Sequence, residues 1–148
     1  MVVGDDLERF VTAQQPVYAQ VLAELRRGRK ESHWMWFTFP QIAGLGHSPM
    51  SESFAIQSIE EARAYLAHPL LGPRLRECAG AVLAVKDRTA EEVFGPIDAK
   101  KLRSCMTLFH RAAAAEPLFR QVLDGWFGGM PDDKTDMLLG RQWTHARR

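Results

Sequence analysis

The sequence predicts an all-α, single-domain protein, built as an irregular bundle of about seven short helices with Gly/Pro-rich loops. Apolar residues recur with helical spacing, Gly or Pro follows most of these segments, and no window of convincing length alternates as a strand would. A length of 148 residues fits one domain, 1–148. We predict a core over about residues 5–140 and a frayed tail over 141–148.

Composition and charge exclude several classes of protein. Apolar residues at 46% and charged residues at 25% match ordinary soluble proteins, which argues against disorder. Nineteen basic and 18 acidic residues give a net charge of +1, so we predict neither a nucleic-acid nor a membrane partner. The acidic start Met1–Asp6 lacks the basic character of a signal peptide, which predicts a cytoplasmic location. Cys78 and Cys105 are too few for a disulfide framework, and we predict both to be reduced and buried.

Two helices are predicted at the N-terminus. Asp5 or Asp6 can cap the first, in which apolar residues recur every three or four positions. Proline suits the first turn of a helix and disrupts its interior, so we expect a break near residues 14–15 and a restart at Pro16. Gly28 ends the second helix.

A cluster of basic residues surrounds that second helix end. Two interpretations stay open for it. The cations can complement the negative pole of the helix dipole, or they can bind phosphate. The cluster consists of Arg26, Arg27, Arg29 and Lys30.

Two capping boxes mark the starts of further helices, at Ser58–Glu61 and at Thr89–Glu92. Pro69 limits the first of these helices, and Pro73 can begin the next one, which gives a helical hairpin. Gly95–Pro96 terminates the short helix that follows Thr89.

The clearest helical periodicity follows Asp98, where Leu102, Cys105, Met106 and Phe109 repeat at helical spacing. This helix should cross the core. Pro117 breaks it and starts another, which ends at Gly128–Gly129. One acid of the pair Asp132–Asp133 can cap a last helix, with Gly140 as its stop.

An aromatic segment lies between the second and third of these helices, over Lys30–Gln41. It holds two Trp, two Phe and a Met within six consecutive residues, and is too short for periodicity to separate a buried strand from a helical turn. Residues 41–50 are rich in Gly and Pro and predict an irregular loop, and residues 51–57 are expected to be extended or irregular. The aromatic side chains are either core or the floor of a pocket.

Polar residues near the predicted core supply a candidate site. Asp98 can be a helix cap, with Lys101 extending its stem past the core edge, or both can meet the aromatic segment in a polar pocket. A histidine beside two Trp can likewise be a packing residue or a functional one. The candidate ligand-binding residues are Lys30, His33, Trp34, Trp36, Gln41, Asp98, Lys101 and Ser104.

Motifs for metals, cofactors and catalysis are missing from the sequence. The five histidines show neither i, i+4 pairing nor a Cys partner at ligand spacing, so we predict no metal. No phosphate loop, dinucleotide fingerprint or nucleophile elbow occurs, so we predict no cofactor and assign no catalytic residue.

Several stretches together resemble a known family. They are residues 28–41, Gly44–Gly46 with Ser48, Ala64–Pro69, Leu71–Leu75, Phe94–Gly95 with Asp98, and Lys101–Leu102 with Ser104–Phe109. On these residues the sequence is similar to the bacterial family called domain of unknown function 1810, over about residues 5–140. Some members carry the label calpastatin, which nothing in this sequence supports. The resemblance implies a mainly helical fold and supplies no activity.

Two hypotheses for function follow. The first is a pocket for a small polar or anionic ligand, such as a nucleotide-like molecule, with an aromatic floor. The alternative is a non-catalytic protein-interaction or regulatory module that contacts its partner through the loop Gly44–Gln57. We favour the pocket, because a purely structural core has little use for so many polar side chains beside it.

Overall fold

Nine α-helices follow one another in the described part of the chain. The computed structural model describes residues 7–146, and side chains are described through Gly140. The helices are α1 Glu8–Gln14, α2 Tyr18–Arg27, α3 Met35–Thr38, α4 Pro49–Ser53, α5 Ile59–Ala67, α6 Leu71–Ala84, α7 Ala90–Ala112, α8 Pro117–Phe127 and α9 Asp133–Ala146.

The all-α prediction is confirmed, because residues 7–146 form helices and no β-strand. A single isolated parallel bridge joins Ile42 to Ile56. The count exceeds the predicted seven or so because α3 and α4 are short helices in segments where we expected none or left the structure open. No described helix is both long enough and apolar enough to span a membrane.

The break between α1 and α2 lies where Pro16 predicted it. The second helix begins at Tyr18 rather than at Pro16, because Val17 has non-helical angles of φ −123° and ψ −3°. Gly28 ends α2 as expected, with a left-handed φ of 73°. The predicted caps Asp5 and Asp6 lie outside the described residues.

The capping boxes mark helix starts as predicted. At α7 both bonds form: the Thr89 amide donates to the Glu92 carboxylate at 2.7 Å, and the Glu92 amide donates to the Thr89 hydroxyl at 3.1 Å. At α5 only half of the box forms. The Ser58 hydroxyl accepts from the Glu61 amide at 3.1 Å, whereas the Glu61 carboxylate accepts from the amide of Gln57 at 3.0 Å.

The expectation of an irregular loop through residue 50, followed by extended or irregular structure, is wrong for residues 49–53, which form α4. Pro49 takes the first turn of that helix, and the Ser48 hydroxyl caps it by accepting from the Ser51 amide at 3.1 Å.

The two helices predicted on either side of Gly95–Pro96 are one kinked helix, α7. Gly95 has φ 79° and ψ 161°, a conformation that glycine adopts readily, and Pro96 then begins the second half. Asp98 therefore lies in the first turn after the kink and does not cap a separate helix.

Helix α9 begins beside Asp132, whose carboxylate accepts a hydrogen bond from the Thr135 amide at 2.9 Å. The expected stop at Gly140 is wrong, since the helix continues to Ala146. A glycine inside a helix costs only about 1 kcal/mol relative to alanine, which the helix tolerates here. Residues 147–148 of the predicted tail lie outside the described residues.

Helix α7 is the centre of the bundle, packed against α5, α8 and α9. Helix α6 contacts α2, α5 and α8, and α3 contacts α1. The ring of Phe109 on α7 lies 5.3 Å from that of Tyr65 and 5.9 Å from that of Phe119, so three helices meet around one fully buried aromatic side chain.

Gly72 in the first turn of α6 permits a close approach to α5. A Cβ atom at this position would lie 2.1 Å from the carbonyl oxygen of Leu66, which is rigid backbone. We expect Gly72→Ala to lower the free energy of unfolding by about 1–3 kcal/mol, as overpacking does. Urea denaturation measures this value.

The matched control for that substitution is Gly80→Ala on the same helix. A Cβ atom at Gly80 would meet nothing within 4 Å, so alanine should stabilise the helix by up to about 1 kcal/mol. Equal effects of the two substitutions would contradict the assignment of Gly72 as a contact glycine.

Candidate functional site

The aromatic segment forms one helical turn, α3, and this geometry separates its two tryptophans. Trp34 is 1% exposed and packs in the core, and its indole N–H donates to the Glu24 carboxylate at 2.9 Å. Trp36 is half-buried and lines a surface cleft. The aromatic segment therefore contributes Trp34 to the core and Trp36 to the wall of the cleft.

Glu24 on α2 holds the chain that leads into α3. This side chain is 1% exposed, and its carboxylate accepts from the amides of Glu31 and Ser32 at 2.7 and 2.9 Å and from the Ser32 hydroxyl at 2.6 Å. Burial raises the pKa of Glu24, but the hydrogen bonds from Ser32, Glu31 and Trp34 outweigh it and lower the pKa to about 2. Glu24 is therefore a buried anion that orders residues 31–34.

Glu24 was missed by the sequence analysis, although the sequence does carry a signal for it. Position 24 follows Val21 by three residues and precedes Gly28 by four, so it lies on the apolar stripe of α2. A charged residue on a buried stripe needs partners, and here the loop that follows α2 supplies two backbone amides.

A cleft of about 350 Å³ lies where the aromatic segment meets the kink of α7. We call it the lysine cleft. Its lining consists of Lys30, His33, Trp36, Phe94, Gly95, Pro96, Ile97, Asp98 and Lys101.

Asp98 is the centre of charge in the lysine cleft. One of its oxygens lies 2.9 Å from the ammonium of Lys30, and the other lies 3.1 Å from that of Lys101. The Lys30 side chain is only 8% exposed, and its ammonium also donates to the Ser32 carbonyl at 2.5 Å. The backbone amide of Lys30 donates to the carbonyl of Val93 at 2.8 Å, which fixes this residue to α7.

Lys101 is also stacked on the aromatic segment. Its ammonium lies 3.9 Å from the ring centroid of Trp36, within the range of a cation–π contact. The half-buried indole of Trp36 thus has the Lys101 ammonium over its face. Asp98, which lies on α7 with Lys101, holds the ammonium there.

A second cleft, of about 450 Å³, adjoins the first. We call it the loop cleft, because the loop that follows the aromatic segment forms most of it. The bridge at Ile56 holds this loop: the Ile56 amide donates to the Gln41 carbonyl and the Ala43 amide donates to the Ile56 carbonyl, both at 2.8 Å. The lining consists of Trp36, Gln41, Leu45, Gly46, His47, Ser48, Ser51, Ile97, Lys100 and Lys101.

The structure brings most of the predicted site residues together. Lys30, His33, Trp36, Asp98 and Lys101 share the lysine cleft, and Gln41 lines the adjoining loop cleft.

Trp34 and Ser104 do not belong with the other candidates. Trp34 is buried in the core as described above. Ser104 is 2% exposed, and its hydroxyl shares a hydrogen bond of 2.9 Å with that of Thr135 on α9. Ser104 lies almost two helical turns beyond Asp98, where α7 faces α9 rather than α3.

The basic cluster at the end of α2 is largely paired with acids. Arg26 lies 3.6 Å from Glu77 and Arg27 lies 3.6 Å from Glu31, in exposed ion pairs. These contacts favour a role of the cluster at the helix end over phosphate binding. Lys30 differs from Arg26 and Arg27, because it lines the lysine cleft.

The donor set of the two clefts suits an organic anion better than a metal. Three lysines line the two clefts, and Asp98 is the one carboxylate among the described side chains that does so. Among the described residues, no group of three or more His, Cys, Asp or Glu side chains could hold a metal ion.

Comparisons with known proteins agree with this fold. The chain is similar to the crystal structure of the conserved hypothetical protein Rv1873 from Mycobacterium tuberculosis, with a TM-score of 0.90 and 56% sequence identity, over 91% of this chain and 96% of that one. No curated protein matches the chain. The family model described as protein of unknown function (DUF1810) matches residues 4–139, so this chain belongs to the DUF1810 family.

Proposed function

We propose that the lysine cleft binds a small anionic ligand that carries a planar group, such as a nucleotide. One observation carries the proposal: Lys30 and Lys101, which come from distant parts of the chain, converge on Asp98 beside the half-buried indole of Trp36. The proposal is for binding, and no reaction is assigned.

Stability alone accounts poorly for this arrangement. A buried ion pair loses much of its Coulombic energy to desolvation, and well-packed apolar residues of similar size often serve as well or better. The Lys30 ammonium is nevertheless almost completely buried against Asp98. A binding role explains why two cations are held beside an aromatic ring.

The chemistry of the ligand follows from the lining. Lysines outnumber carboxylates, which favours a phosphate or carboxylate group. Lys101 covers one face of the Trp36 indole, so a planar ring would contact the edge or the other face of that indole. The exposed His33 can donate or accept a hydrogen bond at the rim. With a net charge of +1, the chain lacks the basic excess of nucleic-acid or anionic-membrane binders, so we infer a small-molecule binder, and we keep the cytoplasmic location as a prediction from the acidic N-terminus.

The alternative function, a non-catalytic interaction or regulatory module, has less support. It would use the loop Gly44–Gln57 as its contact surface. Among the described residues, that loop contributes one large exposed apolar side chain, Met50 at 42% exposure, which is little for a protein interface.

A ligand panel tests the proposal. We expect at least one of AMP, ADP, ATP and small aromatic carboxylates to raise the melting temperature, since ligand at 100 times its Kd stabilises by about 2.7 kcal/mol. Trp36→Ala and Lys101→Gln should each weaken that binding about ten-fold, the equivalent of about 1.4 kcal/mol, as measured by isothermal titration calorimetry.

The control variant is Lys86→Gln, which removes an exposed lysine of the α6–α7 loop. It should bind like the unmodified protein. A panel without any stabilising member would overturn the proposal, and so would equal affinities of the Lys86→Gln and Lys101→Gln proteins.

A further inference from the structure

We propose that the ligand extends past Lys101 into the loop cleft, and that it is a nucleoside diphosphate with a polar substituent on its terminal phosphate. This inference rests on the proposed function and names its ligand class. The planar base would lie against Trp36, the diphosphate at the junction of the two clefts, and the substituent in the loop cleft.

The two clefts adjoin each other. Trp36, Ile97 and Lys101 line both of them, so these three side chains form the boundary across which an elongated ligand would pass. With volumes of about 350 and 450 Å³, either cleft alone is at the small end for a ligand site, and the two together suit an elongated molecule.

The distribution of charge places the anionic part of the ligand at the junction. Asp98 contacts Lys101 from the side of the lysine cleft, whereas no described carboxylate lines the loop cleft. Lys100, the neighbour of Lys101 on α7, is exposed. It lines the loop cleft and not the lysine cleft. Lys100 and Lys101 both line the loop cleft, so a diphosphate that crosses the boundary has an ammonium group available for each phosphate.

The walls on either side of the junction differ in character. Ile97 is 71% exposed, an unusual exposure for isoleucine, and with Trp36 it gives the lysine cleft two apolar surfaces for a planar base. The far end of the loop cleft carries polar side chains, including Gln41 and His47, which can hydrogen-bond a hydroxyl-rich group such as a sugar.

Three probes of increasing length test the inference: AMP, ADP and ADP-glucose, each titrated calorimetrically into the full chain. We expect affinity to rise in that order, with ADP-glucose binding at least about ten-fold tighter than AMP. Lys100→Gln should remove most of the gain from AMP to ADP. His47→Ala should remove most of the gain from ADP to ADP-glucose. Lys86→Gln, outside both clefts, should bind all three probes like the unmodified protein.

The outcomes separate this inference from the proposed function. Equal affinities for the three probes, or a loss of AMP affinity in Lys100→Gln as large as the loss for ADP-glucose, would overturn the extended ligand and leave the lysine cleft as a binding site. Binding of an aromatic carboxylate without binding of any nucleotide would overturn the nucleoside diphosphate proposed here and leave the lysine cleft as a binding site for an anion with a planar group. Both proposals fall if no ligand binds. Unchanged melting temperatures of the two variants without ligand confirm that their folds are intact.

Discussion

Replacing Glu24 by glutamine should lower the free energy of unfolding at pH 7 by about 3 kcal/mol. The carboxylate is buried and accepts hydrogen bonds from two backbone amides, a hydroxyl and the Trp34 indole, which lower its pKa from 4.5 to about 2. A pKa difference of this size between the folded and unfolded states corresponds to about 3 kcal/mol of stability. Glutamine keeps the shape of the side chain and removes its charge.

The dependence on pH identifies the charge as the cause. Because the pKa of Glu24 is lower in the folded protein, the unfolded chain binds more protons between pH 4.5 and about 2. The stabilisation is therefore complete above the unfolded pKa and is lost as the pH falls toward 2. The difference between the unmodified and Glu24→Gln proteins should shrink over that range, as measured by urea denaturation at a series of pH values.

Glu31→Gln provides the matched control. Glu31 is more than half exposed and forms a surface ion pair with Arg27 at 3.6 Å, so its loss should change stability by less than about 1 kcal/mol. A constant difference between the Glu24→Gln and unmodified proteins from pH 7 down to 2 would show that the ionised carboxylate is not what stabilises this segment.

The second large effect is expected at Asp98. Asp98→Asn leaves the Lys30 ammonium, whose side chain is 8% exposed, without its carboxylate, and removing one partner of a buried pair typically costs about 3–5 kcal/mol. We expect the loss of stability to lie near the lower end of this range. The Lys30 ammonium keeps its hydrogen bond to the Ser32 carbonyl and lies 5.0 Å from the centroid of the Trp34 ring. Urea denaturation at pH 7 measures it.

A double substitution separates the unpaired charge from the loss of the pair itself. Lys30→Met with Asp98→Asn removes both charges and should recover part of the stability that Asp98→Asn loses. Asp124→Asn, in an exposed pair with Arg120, should change stability by less than about 1 kcal/mol. The assignment fails if the double variant is less stable by the sum of its two single effects.

The same substitution should act on ligand affinity in the opposite direction. Asp98 pairs with both Lys30 and Lys101, so in the proposed site it would compete with an anionic ligand for both ammonium groups. Asp98→Asn should therefore bind the best anion of the panel more tightly while it unfolds more easily. An affinity that falls together with stability would contradict this competition and indicate that Asp98 positions the two ammonium groups for the ligand.

Most of the helical architecture was predictable because its signals are local. Caps at Ser58 and Thr89 and the stop at Gly28 depend on residues within one turn of each helix end. The kink at Gly95 and the length of α9 were not predictable, because tertiary packing decides whether a helix continues past a Gly or Pro.

The site was predictable as a set of polar residues near an aromatic segment, but not in its detail. In a strand Trp34 and Trp36 would share one face, whereas here Trp34 precedes the helical turn and is buried in the core, and Trp36 lies in the turn and lines the cleft. Periodicity could not decide between these structures, so it could not say which indole was exposed. Ser104 shares a helix with Asp98 but not a face, and only the position of α9 shows that its partner is Thr135.

Trp34 and Trp36, two of the four tryptophans of the chain, have different surroundings that would let the protein report on occupancy of the proposed site. Tryptophan emission responds to the polarity of its surroundings and to charges near the ring, and Trp36 is half-buried under the Lys101 ammonium. Trp34 is enclosed in the core and should stay constant as the cleft fills. Intrinsic fluorescence can thus follow occupancy of the cleft in solution without a label, and Trp36→Phe identifies the part of the signal that comes from the cleft.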